Sequence, residues 1–135
     1  MRQLVDTDQK NVLCIDRNIA LEDEKVKGIT DNRQQVLEVG KTVDPELALG
    51  ESMAIEKISA KTGALLFGEL AKMMENYAIL QNYCEAAYAR LVAQGVVFRA
   101  LDITGLNRTE IDTPEDFAAA NAMFETPFMT ISRGQ

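Results

Sequence analysis

The sequence predicts an α/β fold in which helices cover a mixed sheet. Short apolar runs typical of strands alternate along the chain with longer stretches of helical periodicity. One run, VVFRALDI at 96–103, is apolar at odd and even positions alike, as in a strand covered on both faces. Because 135 residues contain no repeat or linker, we expect a single domain over 1–125 and a tail over 126–135.

The strands are predicted from runs of apolar and β-branched residues bounded by turn residues. VLCI at 12–15 is the first, and ESMAIEKI at 51–58 is a later one. Between them, KVKGIT at 25–30 and QVLEVGKTV at 35–43 flank the polar residues Asp31–Arg33. Polar turn residues between two such runs favour a β-hairpin, so we expect a sheet that contains one hairpin.

About three helices are expected, and the first two follow the second half of the sheet. Ser59 is the predicted cap of the first helix. Its apolar positions recur at helical spacing: Leu66, Phe67, Leu70, Met73, Met74 and Tyr77. The second helix is expected from about Asn82 to Ala93, with Gly95 ending it.

The third helix is predicted from the stretch EIDTPEDFAAAN. Thr113 is a favoured N-cap, Pro114 suits the first helical position, and Asp116 follows the cap by three residues. We expect this helix to run to about Phe124. The cap explains these residues by local structure alone, but it leaves Glu110 and Asp112 unexplained.

Glu110 and Asp112 lie two residues apart, after a predicted buried strand and before a helix N-terminus. In an extended chain their side chains share one side, and ligands of helix-covered sheets bind at strand ends. Two hypotheses stay open from spacing alone. The pair is either part of a metal or polyol site or two solvated surface carboxylates.

Composition excludes several classes of function. The net charge of −7 provides no basic surface for a phosphate backbone, so we expect no nucleic-acid partner. No apolar run reaches membrane-spanning length, and the first residues lack a signal peptide's apolar core, so a cytoplasmic protein is expected. Cys14 and Cys84 are predicted to be buried thiols. The sequence has no histidine, which excludes histidine-dependent nucleophilic catalysis and the usual zinc sites.

Four stretches, read together, resemble a known enzyme family. LEDEKVKG (21–28), VGKTVDPELALGESMAI (39–55), NYCEAAYARLVAQG (82–95) and EIDTPEDFAAA (110–120) occur in the order found in the phosphocholine and sugar-phosphate nucleotidyltransferases. The resemblance extends to about Glu125 and concerns the C-terminal half of that family. It implies part of a Rossmann-like nucleotidyltransferase fold.

The resemblance also implies roles for individual residues. In the family, a phosphate or phosphonate acceptor attacks the α-phosphorus of an NTP and releases pyrophosphate. Asp112 matches the aspartate that ligates magnesium, and Lys41 matches the catalytic lysine that steadies a phosphate. The residues that correspond to the acceptor-binding site are Glu51, Tyr83, Glu85 and Glu110. For Tyr83 and Glu85, packing in the first helical turn is the alternative.

The resemblance does not include the part of the family that binds the nucleotide. The family's nucleotide loop, of the form G-x-G-x-R, and its first metal-binding aspartate lie in the half that has no counterpart here, and none of the eight glycines forms such a loop. We therefore expect no catalysis by this chain alone, with magnesium bound weakly unless a nucleotide or a partner half adds ligands. Two alternatives follow: an enzyme half completed by a separate chain, or an oligomeric protein that binds a small-molecule acceptor without chemistry.

The absence of a counterpart to the family's N-terminal half also predicts that the chain associates with itself. A sheet without the covering elements of the N-terminal half would expose an edge and apolar side chains, which favours association. Leu65, Leu66, Phe67, Met73 and Met74 are the surplus apolar side chains. We expect a closed homo-oligomer, in the simplest case a two-fold homodimer.

Overall fold

The computed structural model of the chain describes residues 1–18, 20–21, 23–75 and 84–132, the last eight as backbone alone. Its elements follow in the order α1 (Arg2–Asp6), β1 (Val12–Asp16), β2 (Lys27–Thr30), β3 (Val36–Gly40), β4 (Gly50–Lys57), α2 (Ala60–Glu75), α3 (Glu85–Ala93), β5 (Arg99–Asp102) and α4 (Pro114–Ser132). The expected α/β class is confirmed, with the short α1 as an unpredicted helix.

The strands form one mixed sheet in the order β3-β2-β4-β1-β5. β1 pairs antiparallel with β4 and parallel with β5, while β2 pairs antiparallel with both β3 and β4. The chain between β4 and β5 carries α2 and α3. Every predicted strand is present, and the hairpin is β2–β3.

The two faces of the sheet carry separate apolar clusters, since successive side chains of β1 point to opposite faces. On the helical face, covered by α2 and α3, Leu13 and Ile15 belong to the larger cluster. Its other buried members are Val36, Val39, Leu66, Met73, Ala87, Tyr88, Leu91, Phe98 and Ala100. On the other face, which we call the α1 face, Val12 and Cys14 pack with Leu4 of α1. Burial raises the pKa of the Cys14 thiol, so the prediction of a buried thiol is confirmed there.

The turn between β2 and β3 is fixed by Asp31 and by β5. Asp31 Oδ1 accepts hydrogen bonds from the N–H groups of Arg33 (2.8 Å) and Gln35 (2.9 Å). The residue between them, Gln34, has φ +62°. Beyond the turn, Val36 N–H donates to the Phe98 carbonyl at 2.8 Å. The outer edge of β5 is therefore partly paired, and β5 is shorter than the predicted 96–103 strand.

Helix α2 has one buried stripe rather than the broad apolar surface that its composition predicts. Ser59 is the cap, since its Oγ accepts the Thr62 N–H at 3.2 Å. The buried positions, spaced by three or four residues, are Thr62, Leu66, Glu69 and Met73. Of the apolar positions predicted for this helix, Leu66 and Met73 are buried, whereas Phe67 and Met74 are each 71% exposed. Both lie outside the 3.6-residue stripe that faces the sheet. Tyr77 lies outside the described residues.

Helix α3 ends where predicted. Gly95 adopts φ +92°, and the N–H of Val96 bonds back to the Leu91 carbonyl at 3.0 Å, which satisfies a carbonyl of the last turn. Within the described residues the helix begins at Glu85, after Cys84. Cys84 is exposed, so the prediction that it is buried is wrong, because the residue before a helix can face solvent even when the helix packs.

The chain divides into two compact units, Met1–Thr104 and Gly105–Gln135. The second contains α4, whose helical backbone continues to Ser132 through most of the segment predicted as a tail. The helical backbone continues on both sides of Pro127, although proline removes one N–H donor. Among the described residues, no helix combines the length and apolarity needed to cross a membrane.

Glu69 joins α2 to α3 through a buried carboxylate. It accepts hydrogen bonds from Lys72 (3.0 Å), Gln94 (3.0 Å) and Arg90 (3.4 Å). Hydrogen bonds from Gln94 and Lys72 lower the pKa of Glu69 to about 2, from its ordinary 4.5. A depressed pKa means that this stabilisation is present above pH 4.5 and lost as the pH falls toward 2.

Glu69→Gln is therefore expected to lower the urea midpoint at neutral pH and to flatten its decline between pH 4.5 and 2. Urea titrations followed by circular dichroism at several pH values measure both effects. Glu75→Gln, on the exposed end of the same helix, is the matched control and should keep the wild-type pH dependence. An unchanged profile in Glu69→Gln would contradict the assignment.

Candidate functional site

A row of charged residues crosses three strands on the α1 face. Asp16 of β1 lies opposite Glu51 of β4, and Glu51 lies opposite Lys27 of β2. Residues directly opposite each other on neighbouring strands share a face, with Cβ atoms about 4.5–5.5 Å apart. All three are buried, and Lys27 is only 1% exposed. The row ends at Gly40, opposite Lys27 at the end of β3.

Glu51 is the member of the row with open hydrogen-bonding capacity. Its Oε1 lies 3.3 Å from Lys25 Nζ, and its side chain is 10% exposed. Its buried Oε2 has no hydrogen-bond partner within the described part of the chain. Lys41 follows Gly40 at the same end of the hairpin, and its Nζ lies 3.0 Å from Glu24 Oε2. The structure thus brings the predicted residues Lys41 and Glu51 to the same end of the sheet, with β2 between their strands.

A second acidic group lies on the helical face. Glu56 of β4 is opposite Leu13, and Glu85 is the first residue of α3. Burial raises the pKa of Glu56, and the Glu85 carboxylate raises it further. Burial, with the charges of Glu56, Cys84 and Glu85, raises the pKa of Tyr88 to about 12. Glu85 Oε2 is buried and accepts no hydrogen bond from any described residue.

The two acidic groups do not form one site. Glu51 lies with Asp16 on the α1 face of the sheet, whereas Glu56 and Glu85 lie with Leu13 on the helical face. The implied acceptor set is therefore divided by the sheet, with Glu51 on the α1 face and Glu85 on the helical face. Tyr83 lies outside the described residues, so its predicted place beside Glu85 stays a prediction.

Glu110 and Asp112 belong to the second compact unit, in the irregular segment before α4. Both are exposed. The cap next to them forms as predicted, because Thr113 Oγ1 accepts the Asp116 N–H at 3.1 Å and donates to Asp116 Oδ2 at 2.7 Å. That bond, with the N–H groups of Asp112 and Thr113, lowers the pKa of Asp116. The cap accounts for Asp116 and leaves the side chains of Glu110 and Asp112 open to solvent.

Thr113→Ala is expected to lower the free energy of unfolding of the second unit by about 1 kcal/mol, since both Thr113 side-chain bonds to Asp116 are lost. Glu110→Gln and Asp112→Asn are the controls, because their exposed carboxylates should contribute little stability. Amide hydrogen exchange in the first turn of α4 resolves the change. A larger loss in Asp112→Asn than in Thr113→Ala would contradict this division of roles.

The oxygen donors of Glu110 and Asp112 suit a hard cation such as magnesium in type but not in number. No group of three or more histidine, cysteine, aspartate or glutamate side chains that could hold a metal ion occurs in the residues that the structure describes. Magnesium is commonly held by one or two carboxylates together with waters and substrate phosphates. The pair alone is therefore expected to bind it only in the millimolar range.

Sequence reasoning missed Glu56, Asp16 and Lys27, because a charged residue in a strand is ordinarily assigned to solvent. Lys27 is buried because β2 lies between two strands, with Gly40 of β3 on one side of Lys27 and Glu51 of β4 on the other. The sequence signal for which face each side chain lies on was its spacing in the strand. Glu51 and Glu56 are five residues apart, so regular alternation places them on opposite faces.

Neither a protein-family model nor a curated protein sequence matches the chain. Solved structures do match. The inositol-1-phosphate CTP transferase from T. maritima has 16% identity and a TM-score of 0.60, over 90% of this chain and 48% of that one. CMP:2-keto-3-deoxy-manno-octonic acid synthetase complexed with CTP has 14% identity and a TM-score of 0.59, over 91% of this chain and 52% of that one.

These matches concern the fold. At such identities, the likeness establishes a nucleotidyltransferase-like arrangement of strands and helices and leaves activity and substrate open. The chain spans about half the length of both structures. The fold expected from the ordered motifs is confirmed at that level.

Proposed function

We propose, on the premise of this shared fold, that the chain is the acceptor-binding half of a nucleotidyltransferase. In the proposed reaction, a phosphate oxygen of the acceptor bonds to the α-phosphorus of an NTP, and the bond to pyrophosphate breaks. The acceptor class is that implied by the sequence resemblance: phosphocholine, a phosphonate or a sugar phosphate. The 135 residues contain no G-x-G-x-R loop, so a nucleotide loop from outside these residues would complete the site.

The observation that carries the proposal is the carboxylate pair beside Tyr88. Burial and the Glu85 carboxylate raise the pKa of Glu56, and Glu85 Oε2 lacks a hydrogen bond from the described residues. A bound cation would favour the charged form of Glu56 and give Glu85 Oε2 a partner. Carboxylates beside an aromatic ring are the groups that bind a quaternary ammonium. Among the acceptor classes, this favours phosphocholine, which carries a cationic choline group, over a sugar phosphate, whose sugar is uncharged.

Magnesium has a limited part in the proposal. Asp112, with Glu110 beside it, would hold the ion together with the phosphates of a bound nucleotide. The ion would neutralise charge that develops on those phosphates. Lys41 would contribute a positive charge toward a phosphate. Its ion pair with Glu24 is no obstacle, since Glu24 is 87% exposed and such a pair is weak.

Binding of choline tests the acceptor assignment without requiring catalysis. Calorimetry or NMR titration should show that wild type binds choline and phosphocholine more tightly than glucose 1-phosphate. Glu85→Gln should weaken choline binding by about tenfold, since it removes a charge-assisted contact in a desolvated place. Glu46→Gln removes the same charge from an exposed loop and is the matched control.

Two results would count against the proposal. One is choline affinity that is unchanged in Glu85→Gln. The other is glucose 1-phosphate binding as tightly as choline, which would place the acceptor preference on groups other than Glu56 and Glu85.

A second candidate is a small oligomeric protein that binds an acceptor and has no chemistry. The exposure of Phe67 and Met74 on α2, at 71% each, favours it, because a second copy could cover these side chains. The expected homodimer stays a prediction. Equilibrium sedimentation decides it: the dimer mass is expected for wild type, and Phe67→Ser should shift the equilibrium toward monomer. A wild-type monomer at micromolar concentration would contradict it.

A further inference from the structure

Two adjoining clefts lie at the amino ends of β1 and β5, at the opposite end of β1 from Asp16. One, of about 190 Å³, is lined by Thr7, Arg33 and Gln34 among others, and the second, of about 350 Å³, by Asp8, Lys10 and Asn11. Gln9 and Arg99 line both. The acceptor proposal uses none of these residues.

Arg99 lines both clefts and has hydrogen-bonding capacity that the described residues do not use. Its Nη1 donates to the Arg33 carbonyl at 2.7 Å, which fixes the plane of the guanidinium. Its Nε is buried and donates to no described residue. Nε–H and Nη2–H point along the same edge of a guanidinium, opposite to the edge used by Nη1. That pair of parallel donors fits two oxygens of one phosphate or carboxylate group.

The position of Arg99 is fixed by backbone contacts on both sides. It lies opposite Val12 in the parallel β1–β5 ladder and opposite Gln35 in an isolated bridge. Ala100 N–H donates to the Gln34 carbonyl at 2.8 Å, so the β2–β3 turn is tied to β5. The same turn carries the Arg33 side chain. A binding group held in this way needs little reorganisation when a ligand arrives.

Charge around the clefts is locally positive in a chain of net charge −7. The positively charged side chains there are Arg33, Arg99 and Lys10, and the negatively charged ones are Asp8 and Asp31. Asp31 attracts both arginines, but three cations near two carboxylates still leave one excess positive charge around the clefts. An anionic ligand is therefore complementary in charge.

We propose that these clefts bind the phosphate group of a small phosphorylated metabolite, with Arg99 as the bidentate donor and Arg33 as the second cation. Phosphate fits better than carboxylate. The Arg99 fork, the Arg33 guanidinium and the amides of Gln9 and Gln34 offer more donors than two carboxylate oxygens can accept. The wider cleft lined by Lys10 has room for the remainder of the metabolite.

Titration with inorganic phosphate and pyrophosphate, followed by amide NMR or calorimetry, tests the site. Amides of Gln9, Gln34 and Arg99 are expected to shift. Arg99→Gln should weaken phosphate binding by about tenfold or more, because both fork donors are lost. Arg99→Lys keeps the charge without the fork and should also weaken it. Acetate at equal concentration should bind less tightly than phosphate.

Lys61→Gln is the matched control, since it removes one positive charge from the exposed start of α2 and should leave phosphate affinity unchanged. Arg33→Gln covers the case in which Arg99 variants fail to fold, because the Arg33 side chain is exposed and its carbonyl bond to Arg99 remains. It is expected to weaken binding by about threefold or more. No shift with phosphate, or equal losses in Lys61→Gln and Arg33→Gln, would overturn the proposal.

Discussion

Phe98→Ala is expected to lower the free energy of unfolding by about 3–5 kcal/mol, the usual cost of truncating a buried aromatic residue. Phe98 is 0% exposed in the helical-face core. Its ring meets that of Tyr88 edge to face, with centroids 5.7 Å apart. The cavity would open between α3 and the amino end of β5. Because the chain lacks tryptophan, urea unfolding followed by far-ultraviolet circular dichroism is the suitable measurement.

Phe67→Ala is the matched control for that experiment. It removes the same side chain from a position that is 71% exposed, so its effect should be small. Equal losses in the two variants would mean that Phe67 is buried, contrary to the structure, for instance in a dimer that persists under the conditions used. Repeating the titration at several protein concentrations separates these cases.

Lys27→Met is expected to cost about 3–5 kcal/mol, because it removes the cation from a buried charged row. Lys27 is 1% exposed, and it lies opposite Glu51, which in turn lies opposite Asp16. Without Lys27, two buried carboxylates are neighbours, and the ion-pair partner of Glu51 is Lys25, whose Nζ lies 3.3 Å from Glu51 Oε1. The loss should appear as a lower urea midpoint at neutral pH.

The double variant Lys27→Met with Glu51→Met separates charge from volume. Replacing neighbouring buried charges of opposite sign by apolar side chains is often nearly neutral, so the double variant should recover much of the loss. Lys61→Met, on the exposed surface of α2, controls for the substitution itself. A double variant less stable than Lys27→Met would show that the row is stabilised by its packing and not by its charges.

The sequence predicted the elements whose signals are local. The Asp31 turn, the Ser59 and Thr113 caps and the Gly95 stop all form as expected, because each depends on hydrogen bonds within a few residues. The apolar positions predicted for α2 did not separate the buried Leu66 from the exposed Phe67, because apolar character alone does not say which side of a helix meets the sheet.

The candidate site was less accessible to such reasoning. Whether Glu51 and Glu85 share a site depends on strand order and register, which pair Glu51 with Asp16 and Glu56 with Leu13. Arg99 gives no sequence signal of its own, since its fork is oriented by a carbonyl from residue 33, far away in the chain. Long-range pairing of this kind is set by tertiary structure.

We propose that the chain binds a cationic acceptor through Glu85 and that it does not transfer a nucleotide by itself. A phosphorus NMR spectrum of phosphocholine, CTP and magnesium in the presence of the purified chain measures both parts at once. Binding broadens or shifts the phosphocholine resonance, and turnover produces new resonances from pyrophosphate and a CDP-linked product.

We expect a broadened phosphocholine resonance in wild type and in Arg99→Gln, a sharp one in Glu85→Gln, and no product resonance in any sample. The Arg99→Gln sample separates acceptor binding from phosphate binding at the Arg33–Arg99 clefts. Product resonances that appear with wild type and vanish in Asp112→Asn would contradict the claim, as would a phosphocholine resonance that wild type and Glu85→Gln affect equally.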